Sequence, residues 1–412
     1  MEFSPSPRPL TKFEDYTAVG FDVDHCLTRY NIRNLSKLIY DCSREILGSM
    51  FNYPAEVFHS ESKDILNFAI SSLAIDVQRG NLIKLGFSFK ILRVYNGTDR
   101  LSDDKIKEFY GENMILEGLN PYDYKREGDL FICISLFEHV WALLFAQCVQ
   151  YKKTTPLWAA KSHKEIEKEL NEMYYRLWVF WDYKGKLYEM QSFLFYKEIY
   201  ENVQKYVYPQ EELTQILKHM KNQGKFLFLA SNSPYPYVKV TLDYGLGKNW
   251  EDLFDLIICN AGKPDFFTDE KKEFFEFEVQ NLKYRGPVCK DLKKCKNVVE
   301  GNVKTLEKFI EEKTRIIGKK KIFIGDHIIC DNYYSSLNPD WDTINLFEEL
   351  QEQDNGKMMG GLDYEEFWGS FFSEESNGIK TETFWPNFIK QNCSDCYPFL
   401  LSQNFKNFVN FK

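Results

Sequence analysis

The sequence predicts an α/β fold, a Rossmann-like core built on a parallel sheet and interrupted by a long, mainly helical insertion. Three observations lead to this prediction. Short apolar runs such as Phe226–Ala230 are typical of strands buried on both faces. Helical stripes alternate with these runs, as expected for a doubly wound sheet. Two aspartates, Asp22 and Asp24, follow the first apolar run directly.

The elements of the core can be located in chain order. Strands are expected at 17–20, 226–230, 254–258 and 322–324. A helix with apolar positions between Leu35 and Leu47 follows the first strand. A second stripe, Leu213–Met220, stops before Gly224, which is a suitable C-terminal cap, and a third lies between Val303 and Ile310.

The remaining pattern predicts the domain organisation. We expect a flexible tail over residues 1–15, a core made of 16–50 and 211–350, a cap insertion over 51–210 and a C-terminal extension, 351–412, that packs on the body. The insertion is too long for a loop and shows helical periodicity around 134–149 and 166–181. Within it, Ile75–Leu85 predicts a strand–turn–strand unit.

Composition narrows the classes of partner. A net charge of −9 argues against a nucleic-acid-binding surface, so an anionic ligand would need a local positive site. No apolar run reaches the length of about 18 residues that a membrane-spanning helix needs. The polar, proline-rich start is not a signal peptide, and ten cysteines at no framework spacing favour reduced thiols, so a cytoplasmic location is expected.

Chemistry-bearing residues stand where the predicted strands end. Asp22 and Asp24 would point to the same side and repel each other unless a divalent cation lies between them. Ser231 and Asn232 could hold phosphate oxygens, and Lys263 could neutralise a nucleophile–phosphate pair. Asp326 and Asp331 would complete a magnesium site, because Mg²⁺ prefers hard oxygen ligands.

Each of these residues also has a plain structural interpretation. Asp22 could cap the following helix, and Ser231 with Asn232 is ordinary turn chemistry. Lys263 could be a solvated loop lysine. His327, on the loop beside the site, could be either structural or catalytic. The plain interpretations would all have to hold at once, in register with the strands, so the joint pattern favours phosphoryl chemistry.

The motifs resemble those of the haloacid dehalogenase (HAD) superfamily and, more narrowly, of the cytosolic purine 5'-nucleotidase family. They are Phe21–Leu27 with Arg29-Tyr30-Asn31, Gly80–Lys84, Ala230–Ser233, Phe254–Ile258 through Lys263–Phe267, and Ile324–His327. The resemblance runs from about residue 16 to 372 and implies a HAD-like core, a cap, Mg²⁺ and hydrolysis of a small-molecule phosphomonoester, namely a nucleoside 5'-monophosphate. It leaves a homo-oligomer open.

The resemblance also implies a role for each site residue. Asp22 would be the nucleophile that forms an aspartyl-phosphate, and Asp24 would act as general acid and then as general base. Ser231 and Lys263 would hold the phosphoryl group, with Asn232 assisting. The Mg²⁺ ligands would be Asp22, Asp24 through its backbone carbonyl, and Asp326, with Asp331 as a ligand or as support for one.

Two departures from the family pattern concern the cap. Ile134 stands where a polar residue is expected to meet the base or ribose, and Asn96-Gly97 replaces the His-Gly of relatives. Other functions therefore stay open: a phosphatase for a non-nucleotide substrate, phosphotransfer to a nucleoside, or a catalytically weak protein that serves as a partner-binding or regulatory module. Turnover of a generic aryl phosphate, abolished by Asp22→Asn, would separate the enzymes from the last.

Overall fold

The computed structural model describes residues 8–59, 64–68, 70–178, 194–277, 285–351, 362, 365–376 and 378–411. The chain forms two compact units, each made of separate segments. The first contains Met1–Asn31, Phe180–Gln351 and Ile389–Lys412, and the second contains Ile32–Val179 and Glu352–Phe388. Residues 1–7 of the predicted tail and most of 351–364 lie outside the described residues.

The described strands and helices are as follows. The strands are β1 (Tyr16–Phe21), β2 (Ala74–Asp76), β3 (Asn81–Leu85), β4 (Ile91–Asn96), β5 (Asp99–Arg100), β6 (Leu130–Ile132), β7 (Phe226–Ala230), β8 (Leu256–Cys259), β9 (Phe274–Glu276), β10 (Asn297–Glu300), β11 (Lys320–Gly325), β12 (Trp341–Leu346), β13 (Ser373–Ser376), β14 (Ile379–Glu382) and β15 (Asp395–Tyr397). The helices are α1 (Ile32–Phe51), α2 (Asp103–Tyr110), α3 (His139–Thr154), α4 (His163–Trp178), α5 (Leu194–Asn202), α6 (Glu211–Asn222), α7 (Tyr235–Gly245), α8 (Asp265–Thr268), α9 (Val303–Thr314), α10 (Tyr334–Ser336), α11 (Glu365–Trp368), α12 (Trp385–Asn392) and α13 (Gln403–Phe408).

The first unit is organised by an eight-stranded sheet in the order β15, β12, β11, β1, β7, β8, β10 and β9. Every pair of neighbours is parallel except β10 and β9, which are antiparallel. β1 is central and pairs with β11 on one side and β7 on the other. The ends of β1, β7, β8 and β11 therefore meet at one edge of the sheet, where parallel α/β proteins carry their sites.

Along each central strand, alternate residues belong to two hydrophobic clusters, one on each face of the sheet. In β7, Leu227 and Leu229 belong to one cluster, whereas Phe226 and Phe228 belong to the other. Helices α6 and α7 and the C-terminal residues Leu400, Phe405 and Val409 add to the first cluster, and α9 adds to the second. Burial on both faces explains why these strands are continuous apolar runs.

The predicted core elements are present within a few residues of their expected bounds. The fold class is confirmed as α/β with a parallel sheet. The helix expected after the first strand is α1, the stripe before Gly224 is α6, and the stripe at 303–310 is α9. The third strand begins later than expected, at Leu256, because Phe254 still caps the preceding 3-10 turn, Trp250–Leu253, by donating its N–H to the carbonyl of Glu251.

The second unit contains helices and a five-stranded antiparallel sheet in the order β5, β4, β3, β2 and β6. The predicted strand–turn–strand unit is the β2–β3 hairpin, and α3 and α4 correspond to the two predicted helical stretches. Residues 179–181 of the second stretch lie outside the described residues. Lys84 of β3 and Arg93 of β4 both pair with Glu374 of β13, so the late segment is bound to this sheet.

The bounds of the two units differ from the predicted domain bounds in three places. Helix α1, assigned by the sequence to the core, lies in the second unit because its apolar stripe packs on α4 and α3. Residues 194–210, assigned to the insertion, lie in the first unit. The C-terminal extension is divided: β13 and β14 belong to the second unit, whereas β15 pairs with β12 in the first. That the second unit acts as a cap stays a prediction.

Among the described helices, none combines the length and the apolar character that crossing a bilayer requires. The predicted cytoplasmic location and homo-oligomer stay predictions.

Candidate active site

The residues singled out by the sequence lie at one edge of the parallel sheet. Asp22 directly follows β1, and its N–H donates to the carbonyl of Ile324 in β11 at 2.8 Å. Ser231 follows β7 and donates its N–H to Ile258 of β8 at 2.9 Å. Asp326 follows β11, and Lys263 lies in the loop after β8. Parallel pairing therefore gathers four separate parts of the chain at one place.

Lys263 is the cation at the centre of this group. Its Nζ lies 2.9 Å from Oδ1 of Asp22 and 2.6 Å from Oδ1 of Asp331. All three side chains are buried. Burial disfavours the ammonium, yet Asp22 and Asp331 together raise the pKa of Lys263 above its ordinary value. The lysine is therefore a permanent positive charge beside Asp22.

Three carboxylates form a cluster with the geometry of a cation site. Asp22, Asp326 and Asp331 each place one oxygen within 4.8 Å of the others. Burial raises the pKa of Asp22 above its ordinary value, against the opposing charge of Lys263 and with added repulsion from Asp331. Burial also raises the pKa of Asp326, and repulsion from Asp22 and Asp331 adds to it. One lysine cannot neutralise three acids, and hard oxygens are the ligands that Mg²⁺ prefers. The donor set therefore fits Mg²⁺.

The loop after β11 shapes the cluster. Oδ2 of Asp331 accepts from the N–H of His327 at 3.1 Å. A Cβ on Gly325 would lie 2.6 Å from Cγ of Asp331, so only glycine leaves room for this carboxylate. The His327 ring nitrogen Nδ1 accepts from the N–H of Ile329 and Cys330 and caps a π-helical segment, Ile328–Tyr333. That contact supports the structural interpretation of His327.

The segment after β7 orders the lysine loop. The side-chain amide of Asn232 accepts from the N–H of Lys263 at 2.7 Å and donates to the carbonyl of Lys263 at 3.0 Å. Asn232 thus holds the backbone that carries the cation, which is a different task from direct phosphate binding. Oγ of Ser231 accepts from the N–H of Ser233 at 3.2 Å, and Ser231 is buried beside the end of β7.

Asp24 lies in an environment unlike that of Asp22. Its Oδ1 accepts from the hydroxyl of Tyr30 at 2.5 Å, and its Oδ2 accepts from the hydroxyl of Ser233. The Tyr30 hydroxyl is in turn 2.8 Å from that of Tyr237. Burial, and then the charge of Asp22, raises the pKa of Asp24 above its ordinary value. A raised pKa favours the protonated form of the carboxyl, which is the form that a general acid needs.

Sequence reasoning missed the partners of Asp24. Tyr30 and Ser233 lie inside the quoted motifs, but nothing in their spacing showed that they contact this carboxylate. Tyr237 is on α7, 207 positions from Tyr30, and carries no motif signal. Only the pairing of β1 with β7 brings α7 to Asp24.

The order of these residues, an aspartate pair, a serine, a lysine and an acid pair at successive strand ends, is the arrangement of HAD-type phosphohydrolases that the sequence motifs resemble. The chain belongs to the 5' nucleotidase family, whose family model matches residues 11–356. This match confirms the resemblance at the level of the family.

Two human proteins are similar over most of this chain. The 5'-nucleotidase domain-containing protein 1 is 26% identical over 393 residues, covering 88% of this chain and 82% of that protein. The 5'-nucleotidase domain-containing protein 2 is 26% identical over 345 residues, covering 82% and 62%. Among solved structures, a predicted phosphoglycolate phosphatase from Haemophilus somnus 129pt aligns over 81% of this chain and 85% of its own, with 11% identity and a TM-score of 0.30. A likeness of that size carries no functional argument.

Proposed function

We propose that the protein is a Mg²⁺-dependent phosphomonoesterase that works through an aspartyl-phosphate on Asp22. The observation that carries the proposal is the convergence of Lys263 with Asp22, Asp326 and Asp331 at the end of β1. Such a group suits phosphoryl transfer, in which catalysis consists mostly of positioning and charge neutralisation. The neighbouring Asp24, held by hydroxyls alone among the described residues, supplies the separate carboxyl that proton transfer needs.

The first step would transfer the phosphoryl group to the protein. A carboxylate oxygen of Asp22 attacks phosphorus, and the bond from phosphorus to the ester oxygen breaks. The leaving oxygen takes the electron pair of that bond and a proton from Asp24, so that an alcohol departs. Lys263 and the buried hydroxyl of Ser231 would hold the phosphoryl oxygens, with Asn232 keeping the lysine backbone in place.

The second step would release phosphate. Asp24, now ionised, takes a proton from water while the water oxygen attacks phosphorus. The bond from phosphorus to the Asp22 oxygen breaks, which restores the carboxylate of Asp22 and frees inorganic phosphate. Mg²⁺, held by Asp22 and Asp326 with the backbone carbonyl of Asp24 and with Asp331, would neutralise charge on the transferring group when bound. Each turnover returns the protein to its starting state.

Nucleoside 5'-monophosphates are the proposed substrates, and this part rests on the family alone. Ile134 is buried in the second unit, and the amide nitrogen of Asn96 donates to the carbonyl of Arg79 and to the side-chain oxygen of Asn81. Ile134 has no polar side-chain atom to offer a base or a ribose, and the amide nitrogen of Asn96 is already engaged in these hydrogen bonds. A phosphomonoester without a base is the alternative substrate that this observation favours.

Phosphate release from a panel of nucleoside monophosphates and from 4-nitrophenyl phosphate, with and without Mg²⁺, tests the proposal. We expect Mg²⁺-dependent turnover that Asp22→Asn abolishes, while Asp252→Asn, at an exposed side chain, leaves it unchanged. Turnover of the aryl phosphate alone would support the phosphomonoesterase reaction but would reject nucleoside monophosphates as its substrates. If the folded protein released phosphate from none of the compounds, the enzymatic proposal would be rejected and a partner-binding role would be favoured.

A further inference from the structure

Asp24 differs from the other acids of the site in the kind of partner it has. Asp22 and Asp331 pair with the ammonium of Lys263, which can only donate. Within the described part of the chain, both oxygens of Asp24 contact hydroxyls, one of Tyr30 and one of Ser233. A hydroxyl can donate to a carboxylate and accept from a carboxylic acid. Hydroxyl partners therefore suit a carboxyl that both gives and takes a proton.

The tyrosine contact continues into a second tyrosine. Tyr30 has one hydroxyl proton, and its oxygen lies 2.5 Å from Asp24 and 2.8 Å from the hydroxyl of Tyr237. When Tyr30 donates to Asp24, Tyr237 must donate to Tyr30, and the reverse order is equally available because either hydroxyl can be the donor. The two phenols thus form a chain that can point its protons in either direction.

This chain is held from both ends. Tyr30 is wholly buried, and its backbone forms an isolated antiparallel β-bridge with Val207. Tyr237 projects from α7, and the rings of Phe195 and Tyr196 from α5 pack on it, with centroids 6.1 and 5.5 Å away. Fixed phenols leave the carboxyl of Asp24 little rotational freedom about its side-chain torsions.

We infer that Tyr30 and Tyr237 are positioning residues, which hold the Asp24 carboxyl in the orientation that proton transfer to the leaving group requires. The inference rests on the proposed function, because it assigns these tyrosines to the acid and base role of Asp24. It predicts that their hydroxyls matter most when the leaving group needs a proton most.

Two aryl phosphates of nearly equal size provide the test. Phenyl phosphate has a poorer leaving group than 4-nitrophenyl phosphate and depends more on the general acid. kcat/KM reports the first transfer, in which Asp24 is the acid, whereas kcat also includes the water step, in which Asp24 is the base. The quantity to compare is kcat/KM for phenyl phosphate divided by kcat/KM for 4-nitrophenyl phosphate. We expect Tyr30→Phe to lower this ratio about tenfold and to lower kcat for both esters. Tyr237→Phe should lower the ratio less.

The matched control is Tyr235→Phe. Tyr235 is also on α7 and buried, and its hydroxyl also donates to a carboxylate, that of Glu251, at 2.5 Å. The Tyr235→Phe variant should leave the ratio of the two kcat/KM values unchanged. Equal losses for both esters in Tyr30→Phe, or none, would overturn the positioning role while leaving the phosphatase intact. If Tyr30→Phe fails to fold, an unchanged ratio in Tyr237→Phe has the same meaning. If the natural protein turned over neither ester and none of the nucleoside monophosphates, both proposals would be overturned.

Discussion

Gly325, the last residue of β11, leaves no room for a side chain at the site. A Cβ there would lie 2.6 Å from Cγ and 2.8 Å from Cβ of Asp331. We expect Gly325→Ala to displace the Asp331 carboxylate and to raise the Mg²⁺ concentration for half-maximal activity about 10- to 100-fold. A magnesium titration of phosphate release measures it.

The control for that variant is Gly48→Ala in α1. A Cβ at Gly48 has no neighbour nearer than a carbonyl at 3.8 Å. Helix propensity then makes alanine slightly stabilising there, and the magnesium requirement should stay unchanged. An unchanged magnesium requirement in Gly325→Ala would show that Asp331 can move without cost to the cluster.

At the residue scale, the sequence predicted which residues would lie together but not which contacts they would make. Asp22, Lys263, Asp326 and Asp331 were predicted from their places after strands, and strand pairing does bring them together. The task of Asn232, which holds the Lys263 backbone, depends on the path of a loop. Side-chain contacts of that kind leave no periodic signal in a sequence.

At the scale of the elements, β1 packs closely against β7 at Gly20. Gly20 is opposite Phe228, and a Cβ there would lie 2.6 Å from Cε1 of that ring. We expect Gly20→Ala to lower the free energy of unfolding by about 1–3 kcal/mol, the usual cost of overpacking. Urea unfolding followed by circular dichroism measures the change.

A double-mutant cycle identifies the cause. If the Phe228 ring is the obstacle, Gly20→Ala should cost clearly less in a Phe228→Leu background than in the natural protein. Additive effects of the two substitutions would mean that something other than this contact is disturbed.

Two of the strands that the sequence did not predict are short. β10 is four residues long and begins with Asn297, and β15 is a three-residue edge strand containing Asp395. Strands of three or four residues with polar residues at their ends are too short to show the apolar run or the alternation on which strand prediction relies. Their pairing is decided by long-range contacts, with β15 meeting β12 some fifty residues away.

On the scale of the whole molecule, the second unit depends on a late part of the chain. Glu374 is the buried partner of both Lys84 and Arg93. We expect Glu374→Gln to lower the free energy of unfolding of this unit by about 3–5 kcal/mol, because two buried cations lose their counter-ion. The exposed neighbour Glu375 is the control, and Glu375→Gln should stay within about 0.5 kcal/mol. Thermal unfolding measures the difference, and equal decreases in Tm for Glu374→Gln and Glu375→Gln would contradict the expectation.

Magnesium should stabilise the protein more as pH rises. The pKa values of Asp22, Asp24 and Asp326 are raised in the folded state, mainly by burial. The metal-free fold therefore binds more protons than the unfolded chain, and this stabilisation is lost as pH increases from about 4. Bound Mg²⁺ compensates the ionised acids, so the increase in Tm on adding Mg²⁺ should be larger at pH 8 than at pH 5.

Differential scanning calorimetry at the two pH values checks this prediction, with Asp22→Asn as the variant that lacks one ligand. The variant should show a smaller increase in Tm at pH 8. An increase that is the same at both pH values would mean that the cation binds elsewhere.

The division of each unit into distant segments has a consequence for biosynthesis. The sheet of the first unit gains β15 only after Asp395–Tyr397 has been translated, and the second unit gains the counter-ion of Lys84 and Arg93 only with Glu374. A nascent chain that ends at residue 350 would lack both β15 and Glu374. Each unit can therefore complete its contacts only late in translation, and until then the edge of β12 is open to pairing with another chain.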